Sequence, residues 1–184
     1  MPILGIFASQ ILGNLSAYDS IATVTSTGSA GNIVFSSIPD TYRHLQIRGI
    51  LRTSDTGGFN NQQMIFNSDT GSNYKSHIMR GDGTSRTADT VAGSTNFNDY
   101  MRAASSSMTA GIFSVLIMDI LDYANTNKYK TFRALEGGDA NTSGSVGLTS
   151  GVWMSTNAIN TITIVPSGGT AIQHSSLALY GIKG

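Results

Sequence analysis

The stretch Tyr42–Arg52 (YRHLQIRGILR) alternates apolar and polar side chains with a period of two, and short runs of that kind recur along most of the sequence. Leu45, Ile47, Gly49 and Leu51 fall on one face; His44, Gln46, Arg48 and Arg52 fall on the other, and Ile50 is the exception. A half-buried strand requires this spacing, and a helix does not produce it. Ser20–Thr27 and Asn32–Ser36, on either side of the Gly28–Gly31 turn, predict a hairpin. Gln62–Asn67 and Tyr74–Arg80 flank a second turn, Ser68–Gly71. Between Gly81 and Ser107 the pattern thins, and only Asn96–Met101 reads as a short strand. Lys128–Glu136 follows the Asn125-Thr126-Asn127 turn and predicts a hairpin with the run before it. Val146–Ser155, Ile159–Val165 and Ser175–Ile182 complete the set. Strands at this spacing point to an all-β chain, an antiparallel β-sandwich of jelly-roll-like form.

Composition closes off other classes. Of 184 residues, 24 are Ser, 20 Thr, 13 Asn and 21 Gly, so hydroxyls, amides and glycine must build much of the surface. Glu136 is the single glutamate, and helix-forming runs are scarce. Eleven basic residues against eleven acidic ones leave no excess to neutralise phosphates, which disfavours nucleic acid as a partner. No apolar run approaches the ~20 residues of a membrane span. Zero cysteines fit assembly in a reducing cytoplasm.

Two apolar segments stand out as candidate contact surfaces. Residues 1–19 read as an extended arm ahead of a single domain over 20–184. Ile3, Leu4, Ile6, Phe7, Ile11, Leu12 and Leu15 crowd this arm without a charge, and the first basic residue of the chain is Arg43. A secretory signal would open on a basic region, so a docking arm or a first core strand is the better account. Gly111–Tyr123 (GIFSVLIMDILDY) is apolar on both faces of a strand. Phe113, Val115, Ile117 and Leu121 point one way; Ile112, Leu116, Met118 and Ile120 point the other, and the second set is the expected subunit interface.

Chemistry-bearing patterns are weak. His44, His77 and His174 have no metal-ligand spacing and no carboxylate cluster beside them, so no metal or cofactor is expected. Gly147-Leu148-Thr149-Ser150-Gly151 keeps the glycines of a nucleophile elbow but carries Thr at its centre. Asp119 and Asp122, three apart on a strand, face opposite ways and cannot flank one glycosidic bond. Arg80-Gly81-Asp82 spells an adhesion tripeptide, which a loop after a strand explains without a receptor. Phe59, Tyr74 and Phe97 lie in or near loops, where they are candidate platforms for a sugar ring. No catalytic residue is assigned and no enzymatic activity is expected.

Several segments resemble small virion proteins of tailed bacteriophages, including phages of cyanobacteria. The carrying residues are Met1–Gln10, Tyr18–Thr23, Phe35–Arg52, Phe66–Tyr74 with Gly81-Asp82-Gly83, Trp153–Ile164 and Leu177–Ile182. Thr84 to Gly111 carries little of the pattern. The resemblance implies a non-enzymatic particle component, assembled in the host cytoplasm and located in the virion. It implies partners such as the major capsid protein, self-association with a trimer preferred, and a role as a capsid decoration (cement) protein. The alternative it leaves open is a tail or fibre component that binds host-surface carbohydrate.

Overall fold

In the computed structural model, which describes residues 16–28, 31–141 and 143–184, the chain is all-β. The strands among those residues are β1 (Tyr18–Thr25), β2 (Ile33–Phe35), β3 (His44–Thr53), β4 (Phe59–Phe66), β5 (Tyr74–Gly81), β6 (Arg86–Ser94), β7 (Phe97–Ser105), β8 (Ser114–Leu121), β9 (Lys130–Asp139), β10 (Gly144–Trp153), β11 (Ile162–Val165) and β12 (Ser176–Ile182). The arm residues Ile3, Leu4, Ile6, Phe7, Ile11, Leu12 and Leu15 lie outside the described residues.

Eight strands form a large antiparallel sheet in the order β1-β12-β3-β8-β9-β10-β5-β6. Four more, β2-β11-β4-β7, form a smaller sheet. The two meet where the end of β3, at Arg52 and Thr53, pairs in parallel with Ala104 and Ser105 of β7. β7 packs across β8, β9, β10 and β5, so the small sheet covers the inner face of the large one. This is a β-sandwich-like fold whose chain passes repeatedly between sheets, with unequal sheets of eight and four strands.

Alternation decides what lies between the sheets. Leu45, Ile47 and Leu51 of β3 are buried, as are Leu116, Met118 and Ile120 of β8 and Phe132 and Ala134 of β9. Phe97 of β7 is the hub of an aromatic cluster, edge-on to Phe66, Tyr74 and Phe132 with centroids 4.6–5.5 Å apart. Such contacts add about 0.5–1.5 kcal/mol each beyond burial. Two inward-facing glycines of β10 make room: a Cβ at Gly151 would strike the Phe132 ring, and one at Gly147 would strike the Glu136 carboxylate.

The β8–β9 hairpin forms as the sequence predicts, with Ile117 opposite Leu135. The hairpin predicted for Ser20–Thr27 and Asn32–Ser36 does not form. β1 pairs instead with β12 near the other end of the chain, and β2 pairs with β11. The thin region holds two strands, β6 and β7.

Candidate interaction surface

The side chains expected to form a subunit interface lie largely inside the sandwich. Leu116, Met118 and Ile120 are fully buried against the small sheet, and Ile112 is half-buried just before β8. The face that β8 turns outward carries Val115, Ile117 and Leu121 instead, each exposed. Both faces of this segment are apolar, so the spacing showed the alternation but not which side the small sheet would cover.

Register extends that outward face into three rows across the sheet. The first runs Ile50–Val115–Gly137–Val146–Gly81–Arg86, crossing β3, β8, β9, β10, β5 and β6. The second runs Arg48–Ile117–Leu135–Leu148–Met79–Ala88 over the same strands. The third is polar: Gln46–Asp119–Arg133–Ser150–His77–Thr90. Met79 is 62% exposed, Val146 59% and Leu135 53%, so the first two rows present a continuous apolar surface to water. Patches of this kind on otherwise polar proteins mark contact with another molecule. Gly137 and Gly81 leave notches between the valines, where a Cβ would meet nothing nearer than 3.5 Å and 4.0 Å respectively.

Where the first row meets the loops, an open cleft of about 790 Å³ is floored by Val115, Gly137 and Val146 and rimmed by Asp82, Asp139 and Asn141. Its carboxylates are engaged locally: Asp82 accepts the N–H groups of Thr84 and Ser85, and Asp139 accepts that of Asn141. The hydrogen bond from Ser85 holds the Asp82 carboxyl below its ordinary range.

The other flagged residues have structural duties. Asp119 accepts from Gln46 at 2.5 Å and Arg133 at 3.2 Å. Asp122 is bound by Lys128 and by Arg43, and the Lys128 contact leads in lowering its pKa. The His44 Nδ1 accepts the Asp122 backbone N–H at 2.9 Å. Among the described residues no group of three metal-ligating side chains comes together. Phe59, Tyr74 and Phe97 are buried and cannot serve as sugar platforms, because their rings fill the space between the sheets.

Arg80 of the adhesion-like tripeptide points into the sandwich, where its Nε lies 3.3 Å from Glu136 and its Nη1 3.9 Å from Asp99. Burial raises the pKa of both carboxylates, and Arg80 opposes that rise. Burial likewise lowers the pKa of the neighbouring Arg102. This internal charge cluster ties β5, β7 and β9 together. Sequence reading missed it, since Arg80, Asp99 and Glu136 are far apart along the chain.

No protein-family model matches the sequence, and no curated protein matches it.

Proposed function

We propose that this protein is a non-enzymatic structural component of a tailed-bacteriophage particle, a capsid decoration protein that binds neighbouring virion proteins and so helps hold the head together. The observation that carries the reading is the apolar outer face of the large sheet, Ile117, Leu135, Leu148 and Met79 with their neighbours, which suits contact with another protein. Composition supports it, because a weakly charged surface rich in Ser, Thr, Asn and Gly suits a passive coat. The arm, by its apolar sequence, supplies the anchor to the major capsid protein. The head is favoured over a host-binding tail because Phe59, Tyr74 and Phe97, the three rings the sequence offered as sugar platforms, are core residues, which leaves Tyr129 in the β8–β9 loop as a lone exposed ring there.

The test is the copy number in purified virions that carry this chain, measured by quantitative mass spectrometry against the major capsid protein. Hundreds of copies per particle are expected. A few, or a few dozen, would move the protein to the tail, and its absence from particles would overturn the reading.

A further inference from the structure

We infer that the outer face of the large sheet is the interface of a two-fold homodimer, packed sheet on sheet about an axis that runs along the strands between β9 and β10. The inference rests on the reading of that face as a docking surface and names its occupant as a second copy of this chain.

Self-complementarity carries the argument. A two-fold axis in that position keeps each row opposite itself and exchanges β9 with β10, β8 with β5, and β3 with β6. In the first row Val146 then faces the empty position at Gly137 of the other copy, and Val115 faces Gly81. Each valine enters a notch that a missing side chain leaves open. In the second row Leu135 meets Leu148, and Ile117 meets Met79. In the polar row Asp119 lies opposite His77, and no like charges face each other. Arg48 and Arg86 fall at the rim over Ala88 and Ile50, where their stems cover apolar surface while the charged ends stay in water.

The alternative two-fold, across the strands, is worse. It would set Val115 and Val146 over Asp119 and Ser150, burying polar groups against methyls. Aligned sheets pack about 30° apart because of their twist, which displaces the outer strands most. The Val146–Gly137 contacts lie beside the axis, where that displacement is least.

Size is adequate as well. Six strands about 4.8 Å apart and three rows deep span roughly 29 by 20 Å, or about 1,200 Å² over two copies. That reaches the lower bound of specific interfaces.

The experiment is sedimentation equilibrium on the full-length chain, with circular dichroism and thermal melts to show that each variant is folded. The wild type is expected as a dimer at tens of micromolar. Leu135→Asp should be monomeric. Gly137→Val, whose Cβ would meet nothing nearer than 3.5 Å within its own subunit, should raise the dimer Kd about thirtyfold or more, as expected of a central contact. Exchanging knob and notch in the double variant Gly137→Val/Val146→Gly should return most of the lost affinity. A monomeric or trimeric wild type, a dimer unmoved by Leu135→Asp, or a double variant no better than Gly137→Val would each overturn the two-fold. Should Leu135→Asp fail to fold, Gly137→Val and the exchange decide alone. Because this is measured on purified protein, its failure is separate from a failure of the copy-number test in particles.

Discussion

Asp69 shows how much one short side chain can hold in a fold with so few charges. It sits in the turn between β4 and β5 and accepts hydrogen bonds from the Trp153 indole N–H at 2.7 Å, the Asn73 amide at 2.8 Å and the Gly71 N–H at 2.8 Å. Trp153 is buried on β10, so the turn is fastened to the far end of the core. Burial works against the Asp69 charge, but the three donors outweigh it and its pKa is lowered. Replacing it with Ala leaves a buried indole N–H unmet and should cost about 1–3 kcal/mol at neutral pH. The sign of the pH dependence follows from the direction of the shift. A depressed folded pKa gives stability that is present above the unfolded value of ~3.9 and lost as pH falls through the folded value. Thermal melts of wild type and Asp69→Ala should therefore draw together as pH is lowered below about 4, and a gap independent of pH would show that the charge plays no part. Glu136 carries the opposite sign: burial raises its pKa, so protonation on acidification relieves a cost in the folded state.

At the level of strands, β3 is where sequence and structure agree most closely. Leu45 and Ile47 are fully buried, as the alternation requires, and Arg48 is exposed. Leu45→Ala should cost about 2–5 kcal/mol in denaturant unfolding, the range for core leucines. A loss under 1 kcal/mol would mean that the inner face of β3 is not packed as described. Gln46 and Arg52 depart from the pattern, since both are polar by position yet buried. Gln46 lies beside Tyr18 and Tyr180 on the outer face and donates to Asp119 across the strand pair. Arg52 is covered because its guanidinium donates to the carbonyls of Ser106, Met108, Thr109 and Ile112, which holds the loop between β7 and β8. Periodicity reports which way a side chain points, whereas these burials depend on what another part of the chain brings to meet it. The same limit hid β6: Arg86–Ser94 is a largely exposed edge strand with no apolar face to show in the pattern. It also misassigned β1, whose β-branched residues mark a strand without saying that its partner is β12, more than 150 residues away.

Across the whole molecule, the candidate surface was only half legible. The sequence showed that Gly111–Tyr123 had an apolar face to spare, but choosing between faces needed the small sheet, which covers Leu116, Met118 and Ile120 and leaves Val115, Ile117 and Leu121 outside. Leu135, Leu148 and Met79 join that surface through pairing among four strands, a relation that no single segment displays. The strands described here all fall between Tyr18 and Ile182, and β1 is fastened to β12 along nearly its full length, from Tyr18 opposite Ile182 to Thr25 opposite Ser176. Asp19 adds an ion pair to Lys183 at 2.9 Å, so the first described strand is tied to the last residues of the chain. That pairing is made entirely among residues 17–183. Deleting residues 1–15 should leave the sandwich folded, with a stability change under about 1 kcal/mol, or roughly 2–4 °C in Tm. The segment itself holds Ile3, Leu4, Ile6, Phe7, Ile11, Leu12 and Leu15 and no charge, which is surface that gains about 25 cal/mol per Å² when covered. If it is the anchor, the truncated chain should remain soluble yet fail to bind particles that lack the protein, as read by co-sedimentation. A truncated chain that unfolds would make the segment part of the core, and one that still binds particles would place the anchor on the sandwich.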